Sequence, residues 1–167
     1  MWAAVAVVLV PSPDSLLLIR RADRQGDPWS GHMALPGGRR EAGDADLVAT
    51  AIREVEEEVG ISLQRGQLAG RLDDVIPRTP TLPPVAVHPC IFLIPSRPPV
   101  TLNSEVSAAL WVPLDHFLDP QTYRAVELEI RGEAREFPAY HLGDSYIWGM
   151  TERILSALLE EFRHSES

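Results

Sequence analysis

Glu54, Glu57 and Glu58 stand at positions i, i+3 and i+4 of a stretch with helical periodicity, so their carboxylates share one face about a turn long. Two such charges roughly 6 Å apart repel by about 0.7 kcal/mol in water and by about 3 kcal/mol at an effective dielectric of about 20. They also lie toward the negative end of the helix dipole, which counts against each by up to about 1 kcal/mol. A helix selected for stability alone would carry lysines there. A bound divalent cation makes the cluster favourable, and all-oxygen ligation points to Mg2+ or Mn2+. The alternative is a solvated acidic face. Arg53 within the cluster and Gly37-Gly38 upstream of it favour the cation. Glycines at that point let backbone groups approach a phosphate or a metal with no Cβ in the way.

The elements that must position these residues can be read on either side. Val48, Ala51, Ile52, Val55 and Val59 form the apolar stripe of an amphipathic helix, with Asp44 at the N-cap position and Gly60 at the left-handed position that closes it. Upstream, residues 2 to 10 and 15 to 21 are apolar runs joined by Pro-Ser-Pro-Asp, which predicts two strands near the centre of a sheet. His32-Met33-Ala34-Leu35 reads as a short strand delivering Pro36-Gly37-Gly38 into a turn. Downstream, residues 66 to 76 and 84 to 94 read as strands on either side of a proline-rich loop. Residues 122 to 140 form a hairpin around Arg131-Gly132, and a last helix carries the stripe Ile147, Met150, Ile154, Leu158 and Phe162.

The stretch from Gly38 to Ile61 resembles the Nudix box, Gly-x5-Glu-x7-Arg-Glu-U-x-Glu-Glu-x-Gly-U with U a bulky aliphatic. Arg53-Glu54-Val55-Glu56-Glu57-Glu58-Val59-Gly60-Ile61 matches its second half at every fixed position. In the first half Asp44 stands where the box has Glu, and eight residues rather than seven separate it from Arg53. The resemblance implies one Nudix hydrolase domain over residues 1 to 167: an α/β (α+β) fold, an α/β/α sandwich with a mixed β-sheet between helices. It also implies Mg2+- or Mn2+-dependent hydrolysis of a nucleoside diphosphate linked to another moiety. In that reading Glu54, Glu57, Glu58 and the Gly38 carbonyl hold metal, and Arg53 orients the glutamates. The loop before a Trp111-Val112-Pro113-Leu114 segment of the kind seen in the family often adds a metal ligand or base, a role that falls here on Glu105, and the general base is Glu105 or a box glutamate such as Glu57.

Substrate contacts are expected from Gly37 and Gly38, from Arg21 at the end of the second strand, from Trp29 as a stacking platform and from Arg78 in the proline-rich loop. Each has a plainer alternative: a strand-end arginine, a core plug, a solvated loop arginine. Within the superfamily the chain is most similar to the coenzyme A pyrophosphatase branch. The similarity lies in Leu17-Leu18-Ile19-Arg20-Arg21, the Leu-Pro-Gly-Gly run and Ile147-Trp148-Gly149. It departs from that branch's upstream signature at Ile19, Asp27 and Trp29, which keeps ADP-ribose or a modified nucleoside triphosphate open as substrate. A nucleotide sensor without turnover is the alternative of a different class, although such domains typically lose a box glutamate.

Composition narrows the partners. With 24 acidic against 15 basic residues the net charge is -9, which disfavours binding along a nucleic-acid backbone but not a metal-bridged phosphate ester. The N-terminal apolar run has no basic segment before it and is too short to cross a bilayer, so no membrane role is expected. A single cysteine, Cys90, fits a cytoplasmic protein without internal disulfides. A homodimer is left open.

Overall fold

The computed structural model describes residues 1–25, 31–78 and 84–165. Trp2–Val10 form β1 and Ser15–Arg21 form β2, antiparallel partners that meet only beside their turn, with Leu9 opposite Leu16 and Val10 opposite Ser15. Further along, the two strands part, and the chain between Met33 and Arg39 fills the fork. β3 (Met33–Ala34) pairs with β2, and β4 (Gly37–Arg39) pairs with β1 at Ala3, Ala4 and Val5. Between them the Ala6 N–H donates to the Pro36 carbonyl at 2.8 Å. The glycine pair, expected as a turn, is therefore strand. A Cβ on Gly37 would collide with the Ala4 carbonyl, so only glycine permits this approach of two backbones.

Helix α1 spans Leu47–Val59. Its N-cap is Asp46, whose carboxylate accepts the Ala49 N–H at 2.8 Å, not Asp44 as the sequence suggested. Asp44 is buried two residues earlier and its oxygens are already engaged elsewhere. Gly60 closes the helix at φ 72°, and its N–H donates to the Glu56 carbonyl. Ala51, Val55 and Val59 are fully buried, and Val48 and Ile52 pack at the margin of the same cluster.

The strand expected over 66 to 76 is shorter. β5 is Leu68–Arg71, with a register shift between Leu68 and Gly70, and only an isolated bridge from Val75 to Val87 beyond it. The glycine marks the irregularity, and the exposed Asp73-Asp74 pair interrupts the strand. β6 (Ala86–Leu93) runs parallel to β1 from Trp2↔Ala86 to Leu9↔Leu93, and β7 (Val106–Pro113) pairs antiparallel with β2. Among the described residues these strands make one mixed sheet of seven.

After a short helix α2 (Leu114–Leu118), β8 (Tyr123–Ile130) and β9 (Glu133–Leu142) form the hairpin expected at Arg131-Gly132, and β10 (Ser145–Ile147) extends it into a second, three-stranded sheet. Helix α3 covers Gly149–Ser165. Ile147, read as part of its stripe, belongs instead to β10, because the helix begins only at Gly149, whose φ of 68° turns the chain out of the strand. Its side chain still packs with Ile154 and Leu158.

β1 is buried on both faces, which explains its unbroken apolar run. Ala4, Ala6, Val8 and Val10 face the cluster under α1, while Ala3, Val7 and Leu9 face the cluster under α3. The main sheet is thus covered by a helix on each side. Among the described residues no helix is long and apolar enough to cross a membrane.

Candidate active site

The fork between β1 and β2 presents Gly37 and Gly38 to the C-terminal half of α1. Glu58 is buried, and its Oε1 accepts the Gly37 N–H at 2.8 Å. Burial pushes its carboxyl up to about 8; the Glu54 and Glu105 charges push the same way, and the Gly37 N–H and Arg21 act against them. Glu54 stands directly over Gly38, where a Cβ would strike its carboxylate. Its pKa is also raised, first by burial, with Arg53 opposing and the Glu57 and Glu105 charges adding. Glu57 is different: its side chain is 52% exposed and turned toward Arg53.

Arg53 ties these groups together. Its Nε and Nη2 donate to the two oxygens of Asp44 at 2.9 and 3.0 Å, a bidentate pair. Nη2 also donates to the Arg39 carbonyl at 3.1 Å, at the end of β4. Nη1 donates to Glu54 at 3.0 Å and to Glu57 at 3.2 Å. One guanidinium therefore spans the glycine strand, the turn before the helix and two helix glutamates. Asp44 is completed by the Glu41 N–H and the Thr50 hydroxyl, each at 2.9 Å, and Arg53 first and the Glu41 N–H second hold its carboxyl well below the usual carboxylate range.

The departure from the box is explained here. Asp44 is one methylene shorter than Glu and sits one residue further from Arg53, and it receives the arginine fork by lying buried in the turn. Sequence reading took Asp44 for a cap and missed this partnership, along with Thr50 and the Arg39 carbonyl. The one signal was the coincidence of a shorter acid with a longer spacing.

The other expected residues fall at different distances from this centre. Glu105 is exposed in the loop before β7, and its charge reaches both Glu54 and Glu58. Arg21 is exposed at the end of β2; its N–H donates to the His32 carbonyl and its charge reaches Glu58. Arg78 is exposed, and among the described residues no hydrogen bond or ion pair joins it to α1. Trp29 and Asp27 lie outside the described residues.

A mixed sheet between helical layers, with an arginine-anchored glutamate helix laid on a Gly-Gly strand, is the architecture of a Nudix-type hydrolase, and solved Nudix structures share the fold. The family model described as the NUDIX domain matches residues 2–130, and the chain belongs to that family, whose hydrolases act on phosphoanhydride bonds and use divalent metal ions. An uncharacterized Nudix hydrolase NudL of Photorhabdus laumondii is 32% identical over 162 residues, which covers 95% of this chain and 83% of that protein. The uncharacterized protein C14C4.10c of Schizosaccharomyces pombe is 37% identical over 125 residues, covering 72% of this chain; the chain spans only 38% of that longer protein. Among solved structures, a bifunctional NMN adenylyltransferase/ADP ribose pyrophosphatase from Francisella tularensis, complexed with AMP and a Mn ion, is 26% identical with a TM-score of 0.53, covering 68% of this chain and 34% of that one.

The residues present fit a hard dication. Glu54 and Glu58 are oxygen donors gathered where burial and mutual repulsion disfavour their charges, which is the condition a cation relieves. The space over Gly38, which a Cβ would fill, leaves the Glu54 carboxylate against the backbone of β4. Among the described residues no three acidic, histidine or cysteine side chains form a ready-made cage, because Glu57 is drawn to Arg53 instead of inward.

Proposed function

We propose that the chain hydrolyses the phosphoanhydride bond of a nucleoside diphosphate linked to a second moiety, with coenzyme A or a derivative as the first substrate to test. The observation that carries this reading is the burial of Glu58 and the half-burial of Glu54 against Gly37 and Gly38, which makes an isolated acidic helix unfavourable and a cation-bearing one favourable. Glu54, Glu57, Glu58 and the Gly38 carbonyl would hold Mg2+ or Mn2+. Bound there, the dication supplies Lewis-acid charge to the diphosphate and lowers the pKa of an attacking water.

The chain's own groups divide the remaining work. Arg53 fixes Glu54 and Glu57 relative to β4 and cannot itself bind a cation. The Gly37 N–H holds the Glu58 carboxylate in place. Glu57, paired with Arg53, and Glu105 are the exposed carboxylates that in this reading take a proton from water, a contribution of about 10²- to 10⁴-fold. Arg21 supplies positive charge on the side of Glu58 where a substrate phosphate would lie, and Gly37, Gly38, Trp29 and Arg78 complete the substrate contacts in this reading.

ADP-ribose is the alternative substrate; the Francisella relative, named an ADP ribose pyrophosphatase and complexed with AMP and a Mn ion, supports that class. A panel of coenzyme A, ADP-ribose, NADH, diadenosine polyphosphates and nucleoside triphosphates, each with Mg2+ and Mn2+, tests the reading. Release of 4′-phosphopantetheine and adenosine 3′,5′-bisphosphate establishes the coenzyme A assignment, and untouched coenzyme A removes it. In the Glu57→Gln variant hydrolysis is expected to fall by about 10²-fold or more. A chain that cleaves nothing in the panel yet binds nucleotide is a sensor.

A further inference from the structure

Glu105 lies 47 residues beyond Glu58 in sequence, on a loop with no helix or strand of its own. An exposed loop carboxylate samples many rotamers and many backbone positions, so its charge reaches α1 reproducibly only if something fixes the loop. The segment from Thr101 to Val106 is fixed by a short series of hydrogen bonds. Its first contact is the Thr101 N–H, which donates to the Val59 carbonyl at 2.9 Å, one of the unpaired carbonyls at the end of α1. Next, the Asn103 N–H donates to the Glu58 carbonyl at 3.2 Å. The Asn103 side-chain oxygen accepts the Glu105 N–H at 3.0 Å. Beyond it, the Val106 N–H donates to the Asn103 carbonyl and the Ala22 N–H donates to the Glu105 carbonyl at 2.9 Å, next to Arg21.

Asn103 is thus the residue through which two glutamates of the site meet, by main chain to Glu58 and by side chain to Glu105. We propose that Asn103 is a positioning residue of the hydrolytic site, holding the main chain that carries Glu105 against the end of the glutamate helix. An alanine there keeps the main-chain bond to Glu58 and loses only the tether to Glu105. Asparagine and aspartate both provide the oxygen acceptor for the backbone N–H two residues on, whereas alanine provides none. The inference rests on the proposed reading in which Glu105 serves the dication site of Glu54, Glu57 and Glu58, and its test separates the two.

The full chain is titrated calorimetrically with Mn2+ alone, and kcat and KM are measured on whichever panel compound it cleaves. In Asn103→Ala the Mn2+ affinity is expected to weaken several-fold and kcat to fall about ten-fold, with KM within about two-fold and the melting temperature close to that of the wild type. Asn103→Asp is expected to restore kcat. In a Glu105→Gln background Asn103→Ala should have no further effect, because it acts through the group already removed. Full kcat in Asn103→Ala, an equal loss in Asn103→Asp, a loss that adds in full to that of Glu105→Gln, or a Glu105→Gln variant with the wild-type rate each overturns the proposal. If the wild-type chain cleaves no phosphoanhydride, the functional reading falls on its own. The Mn2+ titration then still decides Asn103, since unchanged affinity in Asn103→Ala rejects it and weakened affinity supports it.

Discussion

Arg53 carries more of the site's geometry than any glutamate does, because its planar fork is matched to Asp44 while its third nitrogen serves Glu54 and Glu57. A lysine offers one compact charge and cannot make both sets of bonds. Arg53→Lys is therefore expected to lower kcat/KM by about 10²-fold and to cost about 1–3 kcal/mol of stability, read by steady-state kinetics and by denaturant unfolding. The same pair sets an acid dependence. With the Asp44 carboxyl held well below its ordinary value, chiefly by Arg53, the folded protein binds fewer protons than the unfolded chain in the acid range. That stability is fully present above the unfolded carboxyl value of about 3.9 and is lost as pH falls through the lower folded value. The difference in melting temperature between wild type and Asp44→Asn should accordingly be constant from neutral pH to about pH 5 and close below about pH 4. A difference that persists undiminished in stronger acid would show that the Asp44 charge is not its source.

Among the elements, the contact of β4 with α1 decides whether a site forms at all. β4 enters the fork between β1 and β2 without a side chain at Gly37 or Gly38, so α1 can lie close enough for Glu54 and Glu58 to meet its backbone. A methyl group at Gly38 has no space except that taken by the Glu54 carboxylate. Gly38→Ala is expected to leave the sheet paired, since no positive φ is required there, and to weaken Mn2+ binding and hydrolysis by at least about ten-fold. Calorimetry alongside circular dichroism checks this, and wild-type Mn2+ affinity in a folded Gly38→Ala protein would contradict it. The second sheet, β8 to β10, packs with α3 and meets the main sheet at β3.

At the scale of the molecule, two apolar layers grip the main sheet, and Cys90 lies in the one under α1 with no exposed surface. Burial pushes its thiol up to about 11, leaving almost no thiolate at neutral pH. The folded chain should thus react with a thiol-directed alkylating reagent far more slowly than the same chain in denaturant, as followed by intact mass. Equal rates would mean that this layer opens readily. Val55 and Val59, both fully buried, hold α1 on the sheet, and Glu54 and Glu58 lie on the flank of the helix that meets β4.

Much of this was legible in one dimension, because it depends on periods of two and 3.6 residues and on turn chemistry that acts locally. The glutamate spacing, the stripe of Val55 and Val59, the Gly60 terminus and the Arg131-Gly132 hairpin all follow from neighbours a few residues apart. What the residues alone could not decide was long-range. The spreading of β1 from β2, and hence the strand character of Gly37-Gly38, depends on partners at Ala3 to Val5. The separation of three similar glutamates into a buried one, a half-buried one and an exposed one depends on what each meets across the fork, and the helical wheel treats all three alike. Asp44 read as a cap because caps are local, and it became the partner of Arg53 because the folded turn buries it beside a cation nine residues away. The sequence by itself thus determined which groups share a helical face, since that follows from chain geometry; only the tertiary structure decided which of them lose water, since desolvation depends on every element packed around them.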